Sequence, residues 1–177
     1  MWTMFQLALH PEYQDIIRRE IHDLTRRDSS PVPISELDMR ILRMKGDAVN
    51  LVRMARKDVK LGGYTIPKGS LVLPLVSLSN RSPRYNEGDP KRFDGMRWVE
   101  KQKAASTTDL GHLSFGLGRW ACPGRFLAVA EIELAVFTLL ADARLELVGG
   151  RYNVANGVDV TGNPPEGELV FKRIGAC

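Results

Sequence analysis

The run Phe115-Gly116-Leu117-Gly118-Arg119-Trp120-Ala121-Cys122-Pro123-Gly124 constrains this chain more than any other stretch. An apolar, glycine-rich loop delivers one thiol to the start of a long apolar segment. Gly116, Gly118 and Gly124 are expected to let the backbone turn tightly and lie close against a flat ligand, because a residue without Cβ adopts left-handed conformations at little cost. Phe115 is placed to shield the sulfur. Pro123 suits a first helical position, and the free N–H groups and dipole at that helix start favour an ionised sulfur. A lone cysteine is ordinarily a small buried hydrophobe. The setting of Cys122 instead marks it as a thiolate ligand.

No other group competes for a metal. His10, His22 and His112 are scattered, no Cys/His cluster has zinc spacing, and Cys177 is the last residue. Of the 177 residues 44% are hydrophobic and 26% charged, an ordinary globular composition with enough chain for a real core. The formal net charge of +4 is dispersed, without an aromatic-interleaved basic stripe, so nucleic-acid binding is not expected. Two cysteines give no disulfide framework, no segment has the length of a membrane span, and residues 1–9 lack the order of a signal peptide.

Along the chain, Tyr13, Ile17, Ile21 and Leu24 recur on one face and predict an amphipathic helix over 10–27, with Pro11 near its start. Residues 28–34 read as a loop, and Ser35 as the cap of a short helix over 35–45 that stops at Gly46. The period then changes. Gly62-Gly63 and Pro67-Lys68-Gly69 predict two tight turns in a β-meander over 59–75, the second with Pro67 at its second position. Residues 80–114 are polar and irregular, and 115–124 form the thiol loop. A helix over 124–141, apolar almost all round, is expected to be deeply buried. The end, 145–177, reads as a β region with a strand at 168–172. The fold class is mainly α with small β-sheets, α+β.

The order F-x-x-G-x-x-x-C-x-G followed by a helix resembles the haem-binding loop of the cytochrome P450 family. Further segments resemble, in order, the carboxy-terminal portion of a fungal-type member. These are Leu7 to Gln14, the hairpin from Gly62 to Gly69, and Asp94-Gly95-Met96-Arg97-Trp98. The resemblance implies haem b (iron protoporphyrin IX) with Cys122 as axial ligand to the iron and Phe115, Gly118 and Gly124 lining it. It also places Arg53 and Trp120 at the haem propionates, and Arg43 and Arg97 in a buried charge triad. Family members usually carry Arg or His where this chain has Trp120, whose indole donates a hydrogen bond but brings no charge. An axial thiolate pushes electron density onto iron and favours O–O cleavage.

Two departures qualify the match. The position three residues before Arg43 is Arg40 where the family's E-x-x-R helix has Glu, so the triad carboxylate is missing. A complete member also carries several hundred residues before the point that matches Met1, including the oxygen-activation helix and, in microsomal members, an endoplasmic-reticulum anchor. The resemblance therefore implies an incomplete P450 domain, inactive alone. Its full-length form would be a haem-thiolate monooxygenase that oxidises a small organic molecule, in fungal secondary metabolism, with O2 and electrons from NADPH-cytochrome P450 reductase. Arg119, Arg125, Lys101 and Lys103 would form a basic face for that reductase. A haem-thiolate isomerase or dehydratase, and a degenerate remnant without enzymatic activity, remain as alternative readings.

Overall fold

A computed structural model of the chain describes residues 1–26, 51–94, 103–154 and 164–175. The helix expected over 35–45, with Arg40 and Arg43, lies outside the described residues, as do Arg97, Lys101, Cys177 and the turn signal Asn156-Gly157.

The amino-terminal part is two helices, α1 (Trp2–Leu9) and α2 (Pro11–Arg26). The chain leaves helical geometry at His10, φ −125° and ψ 71°, as expected of a residue before proline. On α2, Gln14, Ile17 and Ile21 are buried at the i, i+3, i+7 spacing of one face. Ile17 and Ile21 join Leu7, Val136, Leu140 and Leu145 in the main core. Gln14 is fully buried in this apolar stripe. Its amide donates to the carbonyls of Leu7 and Leu145, both at 2.8 Å, and accepts the Leu145 N–H at 2.9 Å.

Residues 53–72 do not form a sequential meander. β2 (Val59–Leu61) and β3 (Tyr64–Ile66) make a hairpin, while β1 (Arg53–Met54) pairs antiparallel with β4 (Leu71–Val72) outside it. Gly62 and Gly63, at φ +56° and +85°, form the two-residue hairpin loop, the conformation a primed turn requires. The second turn is shifted by one residue from the expectation. Ser70 N–H bonds the Pro67 carbonyl at 3.1 Å and Gly69 takes φ +89°, so Pro67 is the first residue of the turn. That turn, with the Gly69 N–H to Ala55 carbonyl bond of 2.7 Å, leads the chain back to β1.

A short helix α3 (Val76–Asn80) opens the irregular stretch. Buried side chains hold this stretch in place of regular structure. Asn80 accepts the Leu113 N–H at 2.8 Å and donates to Ser114 at 3.2 Å, while Asn86 donates to the carbonyls of Asn80 and Gly111. His112 is fully buried, with Nε2 donating to the Ala105 carbonyl at 3.2 Å.

Helix α4 (Arg125–Asp142) runs straight into β5 (Ala143–Leu147), which pairs antiparallel with β6 (Leu169–Arg173). Arg18 of α2 caps the end of α4, donating to the carbonyls of Leu140 (3.2 Å) and Ala143 (3.3 Å), bonds that satisfy carbonyls a helix end leaves open. The expected all-round burial of this helix is corrected. Val129, Val136 and Leu140 are buried, but Phe126, Leu127 and Leu134 are exposed, Leu134 to 66%. The helix packs on α2 and β5 on one side, and nothing among the described residues covers the other.

Glu133 falls on the inward stripe, between Val129 and Val136, with Oε1 buried and without a hydrogen-bond partner. Burial pushes its carboxyl above the usual carboxylate range. A raised folded-state pKa gives stability that is present below the unfolded value near 4.5 and lost as pH rises through the folded value. Glu133→Gln is therefore expected to be more stable than the parent at pH 7, with the advantage vanishing below about pH 4.5; urea midpoints at the two pH values measure it. Gln14→Leu strands the buried N–H and carbonyl of Leu145, leaves the Leu7 carbonyl with its bond from the His10 N–H, and should cost about 2 kcal/mol in the same assay.

Candidate functional site

The loop before α4 is built by short backbone bonds. The Leu113 carbonyl accepts the Gly116 N–H at 2.9 Å, and a single 3-10 turn, Gly118–Trp120, is closed by the Ala121 N–H to Gly118 carbonyl bond at 3.0 Å. The Cys122 N–H then returns to the Phe115 carbonyl at 2.7 Å. The Phe115 ring packs into a second small core with Ala105 and Val129. Phe115 thus meets Cys122 through its backbone, and its ring anchors the loop from below.

Glycine is needed at Gly116 twice over. Its φ is +80°, and a Cβ there would lie 2.8 Å from the Trp120 carbonyl oxygen, closer than real contacts allow. Gly124 differs from the expectation of a left-handed turn. Its φ is −81°, open to any residue, and an added Cβ would rest 4.0 Å from the Cys122 sulfur. What this glycine does is leave one side of the sulfur uncovered. Pro123 precedes Gly124, the residue at the N-cap of α4, so it stands just outside the helix and not at its first position. Cys122 itself is an exposed free thiol.

Arg125 is the residue whose role here the sequence conceals. Its Nη1 donates to the Cys122 carbonyl at 3.0 Å and its Nε to the Ser106 carbonyl at 3.1 Å, tying the thiol loop to the segment before it. The guanidinium also lies 4.2 Å from the Phe126 ring centre. Lys103 is paired with Asp109. Burial alone would raise the Asp109 carboxyl, but the hydrogen bond and charge of Lys103, the Gly111 N–H and His112 outweigh it and hold it below the usual range. Two of the four residues expected to form a basic docking face are therefore engaged within the chain.

Arg53, from β1, reaches the loop. Its guanidinium lies 5.2 Å from the ring centre of Trp120, and that of Arg119 lies 5.0 Å from the same ring. The structure thus joins Arg53, Trp120 and Cys122 in one neighbourhood, with Gly118 inside the turn at φ +60°. Among the described residues no group of three or more His, Cys, Asp or Glu could hold a metal.

The sequence profile of the family described as Cytochrome P450 matches residues 1–156. The cytochrome P450 monooxygenase ntnM of a Nectria species is 31% identical, over 83% of this chain and 31% of its own length. The monooxygenase ltmQ of Epichloe festucae var. lolii is 32% identical over 79% of this chain and 29% of its own. Secologanin synthase 1 of Catharanthus roseus is 28% identical over 98% of this chain and 34% of its own. The chain spans about a third of the length of the curated relatives it matches. In fold it is similar to a solved cytochrome P450 structure from Chondromyces apiculatus, with a TM-score of 0.69 and 24% identity over 99% of this chain and 40% of that one.

The two glycines separate by experiment. Gly116→Ala should destabilise the chain by about 2 kcal/mol or more through strain and collision, whereas Gly124→Ala should cost less than about 1 kcal/mol, the scale of an altered N-cap. Urea unfolding of both variants, with the alkylation rate of Cys122 followed by peptide mapping, checks the contrast.

Proposed function

The chain belongs to the cytochrome P450 family, and from that premise we propose that it carries the thiolate side of a haem-thiolate monooxygenase, with Cys122 as the axial ligand of haem b. One observation carries the reading. A free cysteine is among the most buried of residue types, yet Cys122 is exposed at the tip of a loop whose closure demands glycine at Gly116.

The surrounding residues fit a flat apolar ligand that bears carboxylates. Leu117 and Trp120 present exposed apolar surface beside the thiol, Gly124 leaves the sulfur open on one side, and Arg53 and Arg119 supply cations at the rim. When bound, the haem would supply activation of molecular oxygen, which an axial thiolate promotes. The chain's part is to orient and electrically tune the sulfur. The Cys122 N–H fixes the backbone on Phe115, and Arg125 donates to the Cys122 carbonyl. Such fixed bonds around a ligand set its orientation and donor strength.

For the whole protein we propose insertion of an oxygen atom into a small organic molecule, with electrons from NADPH-cytochrome P450 reductase. Two relatives at 31% and 32% identity are named as cytochrome P450 monooxygenases of fungi, which supports a fungal-type enzyme, and a role in secondary metabolism is part of the same proposal. By the same resemblance the whole protein would work at the endoplasmic-reticulum membrane. No helix among the described residues is long and apolar enough to cross a membrane.

The test is spectroscopic. Chain reconstituted with haem, reduced and exposed to carbon monoxide should show the red-shifted Soret band of thiolate ligation. Cys122→Ala should abolish that band and Cys177→Ala should keep it. A band that persists in Cys122→Ala overturns the assignment.

A further inference from the structure

The β2–β3 hairpin stands out from the molecule. Every residue from Arg56 to Gly69 is exposed except Ile66. The pairing of Val59 with Ile66 and of Leu61 with Tyr64 puts these four side chains on one face, because residues opposite each other across a ladder point the same way. Leu61 and Tyr64 flank the Gly62-Gly63 loop, which carries no side chains, so they form the tip, 61% and 78% exposed. Basic residues are dispersed along the sequence, yet residues 56–69 alone hold Arg56, Lys57, Lys60 and Lys68 against one acid, Asp58. That is +3 of the formal +4 of the whole chain. The Asp58 carboxylate is engaged within the hairpin, accepting the Lys68 backbone N–H at 2.8 Å. Among the described residues none of the four cations forms an ion pair.

An apolar tip left in water is costly, and a two-stranded hairpin is marginally stable when nothing packs on it. Its cover has to match it in shape and in charge. A stable protein interface takes about 800 Å² from each partner, far more than four side chains on two three-residue strands offer. A lipid surface needs no such area. Apolar groups sink roughly 5–10 Å into it while cations are drawn to anionic headgroups, and the two contributions add. At about 3.3 Å per residue the strands are roughly 10 Å long, so a tip at that depth leaves Arg56, Lys57 and Lys68 at the level of the headgroups. Tyr64 has an apolar ring and a polar hydroxyl, which suits the boundary between the two layers. Lys60, beside the tip, can extend its ammonium back along its stem to the headgroups. Independently of the haem-thiolate reading, we propose that this hairpin is a wedge that docks the chain on the surface of an anionic lipid membrane. Leu61 and Tyr64 enter the interface, and Arg56, Lys57, Lys60 and Lys68 meet the headgroups.

Co-sedimentation of the full chain with vesicles tests this. Vesicles of phosphatidylcholine and phosphatidylserine in equal parts should bind the chain about tenfold more tightly than phosphatidylcholine alone, and high salt should remove most of that preference. Leu61→Ser combined with Tyr64→Ser should weaken binding to the mixed vesicles about tenfold. Lys57→Gln, Lys60→Gln and Lys68→Gln together should abolish the preference for phosphatidylserine. All five side chains are exposed, so circular dichroism of both variants should match the parent. The parent itself gives a further readout: bound vesicles should protect the peptide bonds after Lys60 and Lys68 from trypsin, relative to the bond after Arg151. Equal binding to the two kinds of vesicle, binding that survives the loss of Leu61 and Tyr64, or unchanged cleavage after Lys60 and Lys68 each overturn the proposal. So does tighter binding to soluble polyglutamate than to the mixed vesicles, which would assign the surface to an acidic protein.

Discussion

The Gln14 amide, fully buried in the apolar stripe of α2, joins three elements through three short bonds to Leu7 and Leu145. An amide in such a place is costly unless its polar groups are met, and here both N–H groups and the carbonyl are. Leu145 is the central residue of β5, which continues α4 without a break. Fixing it, together with the Arg18 bonds to Leu140 and Ala143, pins the far end of the helix whose near end follows the thiol. An 18-residue helix is a rod about 27 Å long, so an error of orientation at its carboxy-terminal end is carried to Cys122. The site depends on this polar clasp as much as on its own loop.

At the near end the design is different. The thiol loop has little side-chain packing beyond Phe115 and is held by backbone closure and by Arg125, whose two bonds link Cys122 to Ser106. The stretch leading to it is similarly built from Asn80, Asn86 and His112, buried polar groups that substitute for a ladder of regular hydrogen bonds. This division places regular structure away from the ligand and irregular, hydrogen-bonded structure around it. Loops fixed by a rigid scaffold are where binding chemistry commonly resides.

Much of this was legible in the residues because the signals were local. Gly62-Gly63 specified a hairpin, the Tyr13, Ile17, Ile21 spacing specified α2, and the loop glycines marked Cys122. What stayed hidden was long-range or reciprocal. The two-residue strands β1 and β4 exist only because a hairpin between them brings Arg53 opposite Val72, and no window of sequence contains both. Helix α1 carries almost no polar face and therefore no period to read. Arg125 and Lys103 read in the sequence as part of a basic docking face, and only the fold shows their partners within the chain, a carbonyl 19 residues away and Asp109. The apolar composition of α4 reads as burial all round, whereas the structure leaves Phe126, Leu127 and Leu134 exposed, because composition does not say what covers a helix face.

That last point bears on how such a chain fares in a cell. Phe126, Leu127 and Leu134 present large apolar side chains to water along one helix. Chaperones and proteases recognise such surface as they recognise an unfinished fold, and transiently exposed apolar surface is also what drives aggregation. Whatever packs on that face, from the same protein or another, would remove this liability while leaving the core formed by α2, α4 and β5 unchanged.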